Sequence, residues 1–126
     1  MLIAGVDIIE IARIHRVSED YGLRFLKRIY TKKELLYCRG RAPQLASRFA
    51  AKEAVMKALG TGVRGVGWKE IEVKRERGHA PFIELHGRAL RRSELIGLAN
   101  LALSLSHSRE FAVASVIGES ERGNLL

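Results

Sequence analysis

Residues 2–9, Leu-Ile-Ala-Gly-Val-Asp-Ile-Ile, are apolar on both alternating faces except at Asp7, and their length and composition predict a buried strand. Period-two alternation puts Asp7 on one face with Ile3, Gly5 and Ile9. The spacing then becomes helical. Ile11, Ile14 and Val17 or Ser18 recur on one side of residues 10–20, with Arg13, Arg16 and Asp20 on the other. A short helix is expected over 23–29, and Thr31 with Glu34 forms a capping box for another over 32–39. A longer helix opens at Pro43, in the first-turn position proline tolerates, and closes at Gly60. The glycine-rich segment 60–67 reads as a flexible loop.

The second half alternates more strongly. Segments 71–75 and 82–86 flank a Gly-Pro turn and predict a hairpin, followed by a helix over 88–97. A second hairpin pairs 101–107 with 111–117, with Leu101, Leu103, Leu105 and His107 on one face of its first strand. The expected class is α+β: a mainly antiparallel sheet with a long central helix, one domain over 1–118 and a polar, flexible tail over 119–126.

The long helix carries the chemistry. In Arg48-Phe49-Ala50-Ala51-Lys52-Glu53-Ala54-Val55-Met56-Lys57-Ala58-Leu59, apolar residues fill most directions around the axis. Arg48 and Lys52 fall within about 40° of each other, as do Glu53 and Lys57. Charges on narrow strips of an otherwise buried helix need partners. A carboxylate among lysines and an arginine suits a phosphate and metal site; taken alone, the segment fits a structural ion-pair helix slightly better. Asp7 shifts the weight. An ionised Asp in an apolar strand must meet a cation, amide donors or a metal, unless it merely caps the following helix. Asp7 and Glu53 together offer two hard oxygen ligands, which suits Mg²⁺ shared with substrate phosphates.

Composition narrows the class. The 126 residues are 47% hydrophobic and 29% charged, as in ordinary globular domains. The apolar start is too short and too acidic for a membrane span or leader, and the lone Cys38 suits a reduced cytoplasmic thiol. Net charge is +8, concentrated in Arg13, Arg16, Arg24, Lys27, Arg28, Lys32, Lys33, Arg39 and Arg41. Such a patch attracts an acidic partner, either nucleic acid or an acidic protein. Aromatic content of only 6%, without a nucleic-acid module, weakens the first option. Gly60, Gly62 and Gly65 match G-x-G-x-x-G, but they follow a helix and precede strands, so the dinucleotide reading is rejected. That loop still offers amides to a phosphate, although a plain helix cap explains it more simply. His107, between Ser106 and Ser108, reads alone as a turn residue.

Three blocks together resemble the holo-acyl-carrier-protein synthases, the short bacterial class of 4′-phosphopantetheinyl transferases. They are Gly5-Val6-Asp7-Ile8-Ile9-Glu10 with Arg13, then Arg48-Phe49-Ala50-Ala51-Lys52-Glu53-Ala54 continuing to Lys57-Ala58 and Gly60-Thr61-Gly62, then Ser106-His107-Ser108 with Phe111-Ala112-Val113-Ala114. The second is highly specific, and no motif position departs from the pattern. The resemblance implies Mg²⁺-dependent transfer of the phosphopantetheine arm of coenzyme A to a serine of apo acyl carrier protein, releasing adenosine 3′,5′-bisphosphate and supporting fatty acid biosynthesis. By the same resemblance, Asp7 and Glu53 hold the metal (Mg²⁺, with Mn²⁺ as the alternative) and Lys57 stabilises the leaving group. Arg48, Lys52, Gly60, Thr61, Gly62 and His107 would meet coenzyme A. Arg13, Arg24 and Arg28 would meet an acidic carrier protein. A cytoplasmic homotrimer with active sites between subunits is implied, acting on neither nucleic acid nor membrane. Two other classes stay open on residues alone: a small basic nucleic-acid-binding protein, and a non-catalytic module whose charged helix organises packing.

Overall fold

A computed structural model describes residues 1–123. In chain order it contains β1 (Leu2–Glu10), α1 (Ile11–Tyr21), α2 (Leu23–Ile29), α3 (Lys32–Cys38), α4 (Ala42–Leu59), a single helical turn α5 (Gly62–Gly65), a 3-10 turn (Trp68–Glu70), β2 (Ile71–Lys74), β3 (Phe82–Leu85), α6 (Gly87–Leu95), β4 (Leu98–His107) and β5 (Phe111–Ser120). β1, β5 and β4 form a three-stranded antiparallel sheet in that order, and β2 and β3 form a separate antiparallel ribbon. The α+β class and the central helix are as expected.

α4 lies against one face of the sheet. Ala50, Ala51, Ala54 and Ala58 on the helix, with Ala112, Ala114 and Val116 on β5, are fully buried, so small side chains let the two backbones approach closely. Gly5 is the closest point: a Cβ there would overlap the Ala54 carbonyl oxygen. Only glycine allows that approach, which draws the strand bearing Asp7 onto the helix bearing Glu53. Ile3 and Ile9 complete the β1 contribution, each such buried aliphatic side chain adding roughly 1.5–3 kcal/mol. The ends of α4 follow the expected rules, with Pro43 in the first turn and Gly60 left-handed at φ 74°. Thr31 and Glu34 form the expected capping box of α3.

Three expectations are corrected. β1 is buried on one face only: Leu2, Val6 and Ile8 are 76%, 58% and 63% exposed. In the pairing register Ile8 lies opposite Val113, and exposed Ile117 and Phe111 of β5 lie opposite Ala4 and Glu10, so the sheet presents a largely apolar uncovered face. Segment 60–67 is not all loop, because Gly62–Gly65 forms a helical turn. The tail also starts later than residue 119. β5 continues to Ser120, and the Glu121 and Arg122 amides donate to Gly97 and Ile96 carbonyls. The rest of the expected tail, residues 124–126, lies outside the described residues.

Candidate active site

Asp7 and Glu53 come from neighbouring elements, and Lys57 joins them. The Lys57 ammonium lies 3.1 Å from Asp7 Oδ1 and donates to the Val6 carbonyl at 3.0 Å. Asp7 is 13% exposed and Lys57 56%, so the group opens to solvent on one side. Glu53 is half-buried and its carboxyl is held above the usual carboxylate range. Burial is the larger cause and the nearby Asp7 charge the second; Lys57 and Arg13 oppose them. Asp7, Glu53, Lys57 and Arg13 thus share one electrostatic site.

Two carboxylates within one half-open site, one of them pushed up by burial and by the other, fit a hard divalent cation, which favours oxygen donors. The residues present therefore suit Mg²⁺. A second set of ligand-type side chains, Glu72, Glu84 and His86, lies on the β2–β3 ribbon and includes neither Asp7 nor Glu53. That set satisfies itself. His86 Nε2 lies 3.0 Å from Glu72, Thr31 donates to Glu72 at 2.7 Å, and Lys74 pairs with Glu84 at 2.9 Å.

Arg48 and His107 line a different cavity of about 380 Å³ with Tyr37, Gln44, Ser47 and Arg75. The Arg48 guanidinium stacks 4.4 Å from the Tyr37 ring centre and donates to the Ser47 hydroxyl at 3.1 Å. Nine residues separate Arg48 from Lys57, which places them about 180° apart around α4. The basic cavity and the carboxylate site therefore open on opposite sides of one helix. Beyond Lys57, Thr61 leaves its buried hydroxyl without a hydrogen-bond partner, between Gly60 and Gly62, both of positive φ.

Arg13 on α1 and Arg24 and Arg28 on α2 are exposed. Arg24 and Arg28 frame a groove of about 430 Å³ floored by Val17, Tyr21 and Phe25.

Lys52 is the clear departure. Its side chain is fully buried, and its ammonium donates to Glu34 Oε1 at 2.8 Å, the Trp68 carbonyl at 3.0 Å and the Ile71 carbonyl at 2.6 Å. An ammonium has three donors, and all three are used. Burial lowers its pKa, with the Glu34 charge opposing. No donor remains for a coenzyme A phosphate, so the expected ligand contact is withdrawn for this residue. Sequence reasoning missed Glu34 as its partner, along with Tyr37, Gln44, Ser47 and Arg75 in the basic cavity. None is signalled by local spacing: Glu34 lies 18 residues from Lys52 and had a sufficient role in its own helix cap.

Comparison with known proteins places this geometry in a class. The model of the 4′-phosphopantetheinyl transferase superfamily matches residues 4–116, and the chain belongs to that superfamily. Within it, the chain groups with the holo-[acyl-carrier-protein] synthases. The enzyme of that name from Herpetosiphon aurantiacus is 45% identical over 94% of this chain and 98% of its own length. The one from Gloeobacter violaceus is 50% identical over 89% and 88%. Among solved structures, the Helicobacter pylori holo-[acyl-carrier-protein] synthase in complex with coenzyme A superposes with a TM-score of 0.85 at 30% identity, covering 93% of this chain and all of that one. The Neisseria meningitidis enzyme gives 0.83 at 36%, over 94% and 98%. No helix among the described residues is long and apolar enough to cross a membrane.

Proposed function

We propose that this chain transfers the 4′-phosphopantetheine arm of coenzyme A to a serine hydroxyl of an apo acyl carrier protein, with Mg²⁺, in the cytoplasm and in support of fatty acid biosynthesis. The observation that carries this reading is the convergence of Asp7, Glu53 and Lys57 from two elements that Gly5 brings into contact. In the reaction the serine oxygen bonds to the phosphorus bearing the pantetheine arm. The pyrophosphate P–O bond breaks, and adenosine 3′,5′-bisphosphate leaves with the bonding electrons. Catalysis of this type is mainly positioning and neutralisation of oxygens along the line of attack.

Asp7 and Glu53 would hold the cation, which supplies charge neutralisation at the pyrophosphate. Lys57, fixed by Asp7 and the Val6 carbonyl, stabilises charge on the departing phosphate. The serine proton would be released beside Asp7 and pass to solvent on the open side of the site. Gly60, Thr61 and Gly62, at the end of α4 just beyond Lys57, would meet the ligand. Arg48 and His107 receive its distal phosphate in the basic cavity. That cavity faces away from Lys57, so one coenzyme A molecule spanning both needs two copies of the chain. The uncovered apolar sheet face of Leu2, Val6, Ile8 and Ile117 supports such an assembly, which we assign as a homotrimer with active sites between subunits. Arg24, Arg28 and the Phe25 groove, with Arg13 at the rim of the carboxylate site, suit an acidic helical carrier surface.

The test is direct. The purified protein, apo acyl carrier protein, coenzyme A and Mg²⁺ should together yield a carrier heavier by one phosphopantetheine group in intact-mass measurement. A carrier of unchanged mass under these conditions overturns the reading.

A further inference from the structure

We infer that Lys52 is a positioning residue: clamped by Glu34 and two backbone carbonyls, it fixes the roll of α4 that turns Glu53 towards Asp7. This rests on the transfer reading above. The Glu34 carboxylate is itself fully engaged. Oε1 accepts from Lys52 and from the Thr31 amide at 2.8 Å, and Oε2 accepts from the Val73 amide at 2.8 Å. Together with the Trp68 and Ile71 carbonyls, one buried ion pair joins the start of α3, the middle of α4, the 3-10 turn and β2.

The helix needs such a clamp because its sheet-facing side is built of alanines. Ala50, Ala51, Ala54 and Ala58 bring α4 close to β1 and β5 but give it little shape to key against. Rolling a helix of side-chain radius about 5–6 Å by 20° moves a surface group by roughly 2 Å. A misplacement of about 1 Å at a reacting centre can cost on the order of a hundredfold in rate. Lys52 directly precedes Glu53, so its directional hydrogen bonds set the azimuth of the next side chain with almost no lever arm. An apolar residue at position 52 would fill the same space without direction.

Two measurements decide it. The first uses the unaltered protein: amine acylation by acetic anhydride, mapped by mass spectrometry, with and without coenzyme A and Mg²⁺. Lys52 is expected to stay unmodified in both states, while exposed Lys57 reacts and is protected by the ligand. Labelling of Lys52 in the free protein, removed by coenzyme A, overturns the inference. Equal labelling of Lys57 in both states counts against the transfer reading instead, whatever Lys52 does.

The second compares Lys52→Met, which strands the Glu34 charge, with the Lys52→Met, Glu34→Gln double variant, which does not. The double variant should fold, keep its KM for coenzyme A within about threefold, lose at least about tenfold in kcat, and need more Mg²⁺ for half-saturation. A raised KM for coenzyme A with unchanged kcat makes Lys52 a ligand contact and overturns the inference. Wild-type kcat and Mg²⁺ demand, or failure of both variants to fold, overturns it in favour of a purely structural pair.

Discussion

The molecule holds two carboxylate–lysine pairs that run between elements onto α4, and they differ in one respect. Glu34–Lys52 is fully buried at 2.8 Å, with every donor of the lysine and both oxygens of the carboxylate occupied. Asp7–Lys57 is longer, at 3.1 Å, open to solvent at the lysine, and shadowed by a second carboxylate, Glu53, whose proton affinity is raised. Complete satisfaction makes a clamp, since removing one partner of a buried pair strands the other at about 3–5 kcal/mol. Incomplete satisfaction leaves a half-open site with groups still free to take a ligand, which is the role proposed for it above.

The comparison breaks most visibly if the open pair proves dispensable. Asp7→Ala and Glu53→Ala should each lower turnover by at least about a hundredfold, as does losing a principal electrostatic contact, while both proteins remain folded by circular dichroism. Near-wild-type rates at saturating Mg²⁺ would remove that residue from the site. Lys57→Met should cost roughly tenfold or more in kcat if, as proposed, its charge acts on the departing phosphate. A change confined to KM would reassign it to binding alone. Arg13→Glu should raise KM for the carrier about tenfold at low salt and leave KM for coenzyme A unchanged, as expected of a rim charge. An unaltered carrier KM refutes that contact.

The smallest effect is the most diagnostic of stored cost. Glu53 is held above its ordinary carboxylate range, first by burial and then by Asp7. Its protonated form is therefore favoured in the fold: stability from this group is complete below the unfolded carboxylate value and is lost as pH rises through the raised one. Glu53→Gln removes that loss, so Tm at neutral pH should increase even as activity falls. The gain should shrink as pH falls into the ordinary carboxylate range, about 4, because the raised group gains its proton first. A lower Tm for Glu53→Gln at neutral pH would contradict the assignment.

How much of this was legible in the chain depends on range. Caps are local, so Thr31 with Glu34, Pro43 and Gly60 marked their helices within a residue or two. Asp7 stood out because an acid in an aliphatic strand has few cheap explanations, and the carboxylate site could be anticipated from it. Lys52 could not be sorted from Lys57 by spacing. Both fall on charged strips of α4, and only the arrival of Glu34, Trp68 and Ile71 from outside the helix separates the clamp from the site. The face of β1 misled for the reverse reason. Leu2, Val6 and Ile8 read as core because aliphatic composition does not say which face of a strand is covered, and in the structure they are exposed.

In the proposed reaction Asp7 and Glu53 share one divalent ion. Titrating Mn²⁺ into the coenzyme A-loaded protein and counting bound ion by electron paramagnetic resonance tests it without relying on turnover. One ion per chain in the wild type, lost in both Asp7→Ala and Glu53→Ala, is the predicted result. Undiminished binding in both variants would contradict it.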